Sequence, residues 1–405
     1  FLQYLQDFKF TGDVYAFPEG TIMYPNEPIL TVVAPLIDAQ IVETAILAQV
    51  NHQSLVATKT ARIVKAAEGK AVSDFGARRA HNMDAAVYGA RASYIGGAAG
   101  TATVLAGQMF GIPVSGTMAH SWVMYYKDEY EAFKHYAENY PDNTVLLVDT
   151  YDTIKSGIPN AIRVAREVLE PMGKRLKGIR IDSGDLAYQS IKVRKMLDDA
   201  GLTDCKIIVS NSLDEHTISS LNMQKARIDG YGVGERLITG ASSDYSEDSI
   251  SLLGAVYKIA AVEENGGFAP RIKVSGSVEK ITNPGLKKVY RVYDQNGKAK
   301  ADLIAKADET IDMSQEFRFV DPDMPWRNLK FTHCTVRPLQ EKIFENGKLV
   351  YKLPTLNEIR AYVKKQLDEE IWEEEQRFVN PHKHYMDMTP DYYDMKMSLL
   401  NDSRA

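Results

Sequence analysis

Apolar and polar positions change rhythm three times along this chain. Residues 10–34, FTGDVYAFPEGTIMYPNEPILTVVA, are short β-prone runs cut by Pro-Glu-Gly and Pro-Asn-Glu-Pro turns. From Ile37 to about Ala67 apolar residues recur three and four apart with no Pro or Gly, the period of a helix. Between about 70 and 260 one unit repeats: a brief apolar run, a cluster of small or polar residues, then a helical stretch. After 260 the alternation is β-like again, with KKVYRVYDQNGKAKADLIA carrying a Gln-Asn-Gly hairpin turn. The chain finishes with LNEIRAYVKKQLDEEIWEEEQRF, read as an amphipathic helix whose acidic run is a solvated face, and a Pro- and Tyr-rich tail.

The repeated unit sets the fold class. Its polar clusters are IPVSGTMAHS, TVLLVDTYDT, GIRIDSGD, KIIVSNSLDE and IDGYGVGERL. With His120, Asp149, Asp182, Asn211 and Gly232 as markers, the steps are 29, 33, 29 and 21 residues. A parallel βα crossover takes roughly 30 residues. A doubly wound sheet has similar spacing, but it gathers its ligand groups at one switch point. Chemistry at five successive strand ends favours an α/β barrel. The expected domains are a barrel at 70–261 and an accessory β-rich domain built from 1–69, including the linking helix, and 262–405.

Composition narrows the function. The 405 residues exceed one simple core. Net charge is −6, so no overall basic field favours nucleic acid or an anionic membrane. Apolar runs are far short of the roughly 20 residues that span a bilayer. Cys205 and Cys334 lie far apart with no C-x-x-C spacing, which reads as a reduced, cytoplasmic protein. The opening FLQYLQDFKF has no initiator Met and no signal-peptide pattern. It reads as the inside of a domain, implying a segment upstream.

GIRIDSGDL is the most informative stretch. Arg180 and Asp182 alternate with Ile179 and Ile181, so on a strand both polar side chains share one face. They suit a sugar phosphate, with Asp182 toward ribose hydroxyls or Mg²⁺ and Arg180 over a ring or anion; an internal ion pair with a helix cap is the plain alternative. Asp149 repeats the theme directly after Leu146-Leu147-Val148, whereas Asp152 looks like a cap. Gly230, Gly232 and Gly234 suit a phosphate-binding turn late in the barrel. Phe75 before Arg78 and Arg79 suits a planar anionic heterocycle or a phosphate. His120 ends an apolar run among Gly116, Thr117, Ala119 and Ser121. Neither H-E-x-x-H, G-x-S-x-G nor a Walker loop is present.

Together FTGDVYAFPEGT, FGARRA, GTATVLAG, GIPVSGTMAHSWV, LLVDTYDT, GIRIDSGDL, VSNSLDE and FVNPHKHY resemble the nicotinate phosphoribosyltransferase family. The resemblance implies an irregular, TIM-like α/β barrel of the type II phosphoribosyltransferase kind with a β-rich accessory domain. It implies synthesis of nicotinate mononucleotide from nicotinate and phosphoribosyl pyrophosphate, with Mg²⁺ and coupled ATP hydrolysis. His120 matches the family's transiently phosphorylated histidine. By resemblance Phe75 and Arg180 sandwich the pyridine, Thr117 touches nicotinate, and Arg78 holds phosphate. Asp149 and Asp182 take the ribose or metal side, Ser210 and Asn211 line the sugar site, and Gly232 and Gly234 cradle the 5′-phosphate. A homodimer with shared active sites is expected, completed by the family's N-terminal "TDLY"-like segment, which is expected upstream.

Three details bear on specificity. Nicotinamide-using relatives carry an acid in the segment matching GTATVLAG; here Ala102 stands there, which favours nicotinate. Quinolinate, with two carboxylates, needs an additional cationic cluster. Glu235 follows Gly234 where many members have a small hydroxyl residue, so it is expected to turn away from phosphate or pair with Arg236. From another class, a non-catalytic phosphosugar or nucleotide sensor has no use for His120.

Overall fold

A computed structural model describes residues 2–241, 253–276, 281–314 and 316–402. It divides into two compact units, Val50–Gly254 and Phe1–Gln49 with Ala255–Ala405. The first division falls inside the helix Glu43–Ala66. The helical stretch expected from 37 to 67 is two helices, Leu36–Ile41 and Glu43–Ala66.

The first unit is built on six strands: β1 Ala71–Asp74, β2 Gly100–Thr101, β3 Val145–Leu147, β4 Gly178–Ile181, β5 Lys206–Ser210 and β6 Gly230–Val233. All neighbours pair in parallel in the order β2-β1-β6-β5-β4-β3. The first strand therefore pairs with the last, and every other neighbouring pair is consecutive in sequence. Thr101 adds a bridge to Val114, leaving one break, between Val114 and β3. Cyclic order with a single break is an irregular α/β barrel, as the βα spacing predicts.

Local chemistry explains each βα turn. Ile179 and Ile181 of β4 are fully buried, as are Ile207 and Val209 of β5, while Arg180 takes the opposite face. Each of three helical segments then starts on an aspartate. Asp152 accepts from the N–H groups of Ile154 and Lys155 at 3.0 and 2.8 Å, Asp185 from Tyr188 at 2.9 Å, and Asp214 from Thr217 at 2.8 Å. Such caps leave Asp149 and Asp182, one turn earlier, for other work. Gly184, at φ +77°, makes the turn between Asp182 and its capping neighbour.

The second unit joins the two ends of the chain in one sheet. Strand Asp13–Ala16 lies between Leu30–Val33 and Glu341–Glu345, antiparallel to both. A six-stranded sheet is centred on the hairpin Lys287–Tyr293 and Ala299–Lys306, where Gly297 (φ +77°) makes the expected turn. Between these strands lies a fully buried ion pair: Arg291 donates to both Asp302 oxygens, at 2.8 and 2.6 Å. Burial opposes charge on Asp302, but the bonds from Arg291 and the nearby Glu27 and His384 hold its carboxyl well below the usual range.

Two readings of the C-terminal region need correction. The acidic run is not one solvated helix face. Helix Leu356–Lys365 starts on a Thr355–Glu358 capping box, and its continuation buries Gln366 and Glu370. Glu370 accepts from Tyr293 and Arg337, and Glu375 from Tyr24, so several of these acids anchor the domain through partners distant in sequence. Nor is the end a tail. Tyr385–Met388 is a strand parallel to Ala299–Lys306, with Leu303 opposite Asp387, and helix Pro390–Asp402 follows. Both cysteines are free and buried, and burial pushes the Cys205 thiol up to about 12.

Candidate active site

Arg180 is the hub. Projecting from β4, it donates from Nε to Ser210 Oγ at 2.8 Å, from Nη1 to Thr117 Oγ1 at 2.9 Å and from Nη2 to Asp182 Oδ1 at 2.8 Å. Three of its five N–H groups are thus committed and two remain for a ligand. The Ser210 hydroxyl also donates to Asp182 Oδ1. Burial opposes charge on Asp182, but these bonds, Arg180 and the nearby His120 together hold its carboxyl below the ordinary value. The ion pair foreseen as the plain alternative is present, yet it is only part of a network joining three strand ends.

Phe75 flanks this hub. Its ring centre lies 5.2 Å from the Arg180 guanidinium carbon. Stacking a third ring between them needs about 7 Å, twice the ~3.5 Å contact distance of carbon atoms. In this arrangement the two side chains face each other at less than that separation. Behind Phe75 the backbone is clamped. Its N–H donates to the Val233 carbonyl at 2.8 Å. Asp74 accepts from Gly76 N–H at 2.8 Å and Thr101 Oγ1 at 2.7 Å, its pKa raised by burial against those bonds. Gly232 lies within β6, paired with Ser73 and Ser210, and a Cβ there would fall 2.4 Å from Phe75 Cε2. Its lack of a side chain makes room for the Phe75 ring.

His120 stands beside the acids. Its Nε2 is 3.6 Å from Asp182 Oδ2 and 3.9 Å from Asp149 Oδ1, and its Nδ1 is 3.1 Å from Thr150 Oγ1. Asp149 is almost wholly buried and oriented through Oδ2, which accepts from Asp182 N–H at 2.8 Å and Ser183 Oγ at 2.6 Å. Its Oδ1 has no hydrogen-bond partner among the described residues. Each carboxylate thus offers one oxygen toward the imidazole.

The remaining candidates surround this centre less tightly. Asn211 and Ser212, at the end of β5, take φ of +94° and +51°. Two successive left-handed non-glycine residues store backbone strain, a feature that collects at ligand sites. Arg78 is exposed, with no hydrogen bond or ion pair to a described residue. The carboxylate of Glu235 lies 3.8 Å from Arg79 Nε, with both exposed. Ala102 is exposed, and its N–H donates to the Asp74 carbonyl. Thr150 and Ser183 were missed in the sequence. Their signal was adjacency, since each is a hydroxyl directly following a strand-end aspartate.

Residues 70–302 match the model of the Nicotinate phosphoribosyltransferase (NAPRTase) family. Residues 1–51 and 286–396 match the family's N-terminal and C-terminal domains. The nicotinate phosphoribosyltransferase of Bacillus subtilis is 48% identical over 394 residues, 96% of this chain and 78% of that protein. The crystal structure of human nicotinic acid phosphoribosyltransferase shares the fold at a TM-score of 0.85 and 28% identity, over 98% of this chain and 85% of that one. The nicotinate-nucleotide pyrophosphorylase structure from Pyrococcus furiosus follows at 0.65 and 30% identity, over 89% and 82%.

Proposed function

The chain belongs to the nicotinate phosphoribosyltransferase family, and on that premise we propose that it makes nicotinate mononucleotide and pyrophosphate from nicotinate and phosphoribosyl pyrophosphate, with ATP consumed through a phosphohistidine at His120. The observation that carries this reading is the Arg180 network. A guanidinium fixed by Thr117, Ser210 and Asp182 presents its two uncommitted N–H groups to a carboxylate beside the Phe75 ring. The pyridine stacks against what Phe75 leaves exposed, with Arg180 at its carboxylate edge. Ala102 offers no acceptor for an amide NH₂, which disfavours nicotinamide.

At the sugar, the pyridine nitrogen bonds to C1 as the bond from C1 to pyrophosphate breaks, and C1 passes through oxocarbenium-like charge. Binding and alignment do most of the work. Asp182 and Asn211 face the ribose, while Arg78 and the Gly234 backbone meet phosphate. Asp149 and Asp182 have one uncommitted carboxylate oxygen each. That is too few for an all-protein metal cage; a Mg²⁺ brought in with the substrate would be held by Asp149 and Asp182. Such an ion neutralises charge on the leaving group.

The carboxylates also assign the histidine's roles. They only accept, so the imidazole proton sits on Nε2 facing them and the lone pair sits on Nδ1. Nδ1 bonds the γ-phosphorus of ATP, the bond to the β–γ bridging oxygen breaks, and ADP leaves with that electron pair. Asp149 and Asp182 then stabilise the positive ring.

We also propose a homodimer: Met124 and Tyr125, on the helix His120 starts, are 66% and 84% exposed and suit cover by a second copy. Among the described residues no helix is long and apolar enough to cross a membrane, and two free cysteines suit the reducing cytoplasm.

The test quantifies mononucleotide from nicotinate or nicotinamide with Mg²⁺ and phosphoribosyl pyrophosphate, with and without ATP, together with ADP released. Nicotinate-dependent product whose yield rises with ATP supports the reading. No product from either pyridine refutes it.

A further inference from the structure

We propose that Thr150 takes part in phosphoryl transfer, its hydroxyl donating first to Nδ1 of His120 and then to the phosphoryl group carried there. The inference rests on the phosphohistidine reading above. With the ring proton on Nε2, Nδ1 is an acceptor, and the group facing it at 3.1 Å is the Thr150 hydroxyl. Thr150 is thereby the donor in this contact, and its Oγ1 marks the side of the ring on which the new N–P bond forms.

The position is pinned by the two residues before it. Val148 N–H donates to the Arg180 carbonyl at 3.1 Å, and Asp149 is held by Asp182 N–H and Ser183 Oγ. The half-buried Thr150 follows directly, so its hydroxyl is delivered by the segment that delivers the carboxylate. As Nδ1 gives its lone pair to the γ-phosphorus and ADP departs, the hydroxyl loses its acceptor on the ring. A phosphoryl oxygen, now within its reach, takes that place. No proton is transferred and no further reactant is needed; the hydrogen bond moves from nitrogen to oxygen. A bond to a charged oxygen is stronger than one to a neutral nitrogen, so the contact gains strength as the phosphoenzyme forms. That is the differential required of a group that speeds the step.

Thr150→Val keeps the shape of the side chain and removes the donor, and Thr150→Ser keeps the donor and removes the methyl. The experiment mixes the whole enzyme with γ-labelled ATP and Mg²⁺ and follows acid-labile label on His120 in a single turnover. Thr150→Val is expected to slow label incorporation roughly 10- to 100-fold, with Thr150→Ser restoring it to within about threefold. Equal incorporation in wild type and Thr150→Val overturns the inference, and so does equal loss in both variants, because serine keeps the hydroxyl that is meant to carry the effect. Absence of label on wild-type His120 overturns the phosphohistidine reading itself and, with it, this inference.

Discussion

Substituting Gly232 by alanine separates two roles for one glycine. The position does not have a positive φ, so alanine fits the backbone. The nearest conflict is with Phe75: the new Cβ falls 2.4 Å from Cε2, 2.5 Å from Cδ2 and 3.4 Å from Cγ. Carbon contacts settle near 3.5–4.0 Å, so the ring has to retreat by about 1 Å or more. It cannot take its backbone along, because Phe75 N–H is bonded to Val233 and the adjoining turn is clamped on Asp74. The ring therefore swings about its own side-chain torsions, away from the place it holds beside Arg180. Overpacking of this kind costs about 1–3 kcal/mol. Alanine for glycine returns about 0.4–1 kcal/mol by restricting the unfolded chain. The loss in melting temperature is thus small, and the main effect falls on the pyridine site. Steady-state kinetics should show the nicotinate KM raised roughly 5- to 100-fold, at ~1.4 kcal/mol per tenfold, with the phosphoribosyl pyrophosphate KM within about threefold of wild type. The opposite pattern refutes the reasoning: an unchanged nicotinate KM with a raised phosphoribosyl pyrophosphate KM would make Gly232 a phosphate cradle.

Arg180→Lys leaves Ser210, Thr117 and Asp182 to compete for one ammonium, and is expected to raise the nicotinate KM by about 30- to 300-fold while changing the ATP KM far less; equal effects on both would reduce Arg180 to a structural ion pair. His120→Ala should abolish stimulation by ATP and the label on the protein, and ATP stimulation persisting in this variant would eliminate the phosphohistidine. Asp387, buried with both carboxylate oxygens unpartnered among the described residues, has its pKa pushed up to about 7 by burial and then by Asp321. The folded protein therefore binds a proton that the unfolded chain releases near pH 4, so stability falls as pH rises from about 4 to 7 and stays lowered above. Asp387→Asn should raise stability at pH 8 by roughly 2–4 kcal/mol and have little effect near pH 4; denaturant unfolding at the two pH values measures this, and an equal effect at both would contradict it.

Much of the architecture was written in local pattern. A strand end every 21 to 33 residues, polar alternation in GIRID and aspartates one turn apart place Asp149, Arg180, Asp182 and Ser210 at successive strands, whereas His120, expected at a strand end, starts a helix six residues beyond the Val114 bridge. These features follow from side-chain periodicity along a strand and from helix capping, which act over two to four residues. Because the acids recur in pairs, the later of each pair reads as a cap, and Asp152 and Asp185 are caps. The Gln-Asn-Gly hairpin is legible for the same reason.

What the tertiary structure alone decided is contact between residues far apart. Arg180 meets Thr117 across 63 positions, Gly232 makes room for Phe75 because β1 pairs with β6, and Thr150 meets His120 across 30. The wrong expectations failed in the same way. The acidic run past Lys365 found partners distant in sequence, as Glu370 with Tyr293 and Arg337, and the final residues supplied a strand whose partner lies some 84 residues earlier, as Leu303 to Asp387. Local pattern decides which face of an element a side chain takes; the pairing of distant strands decides what that face meets.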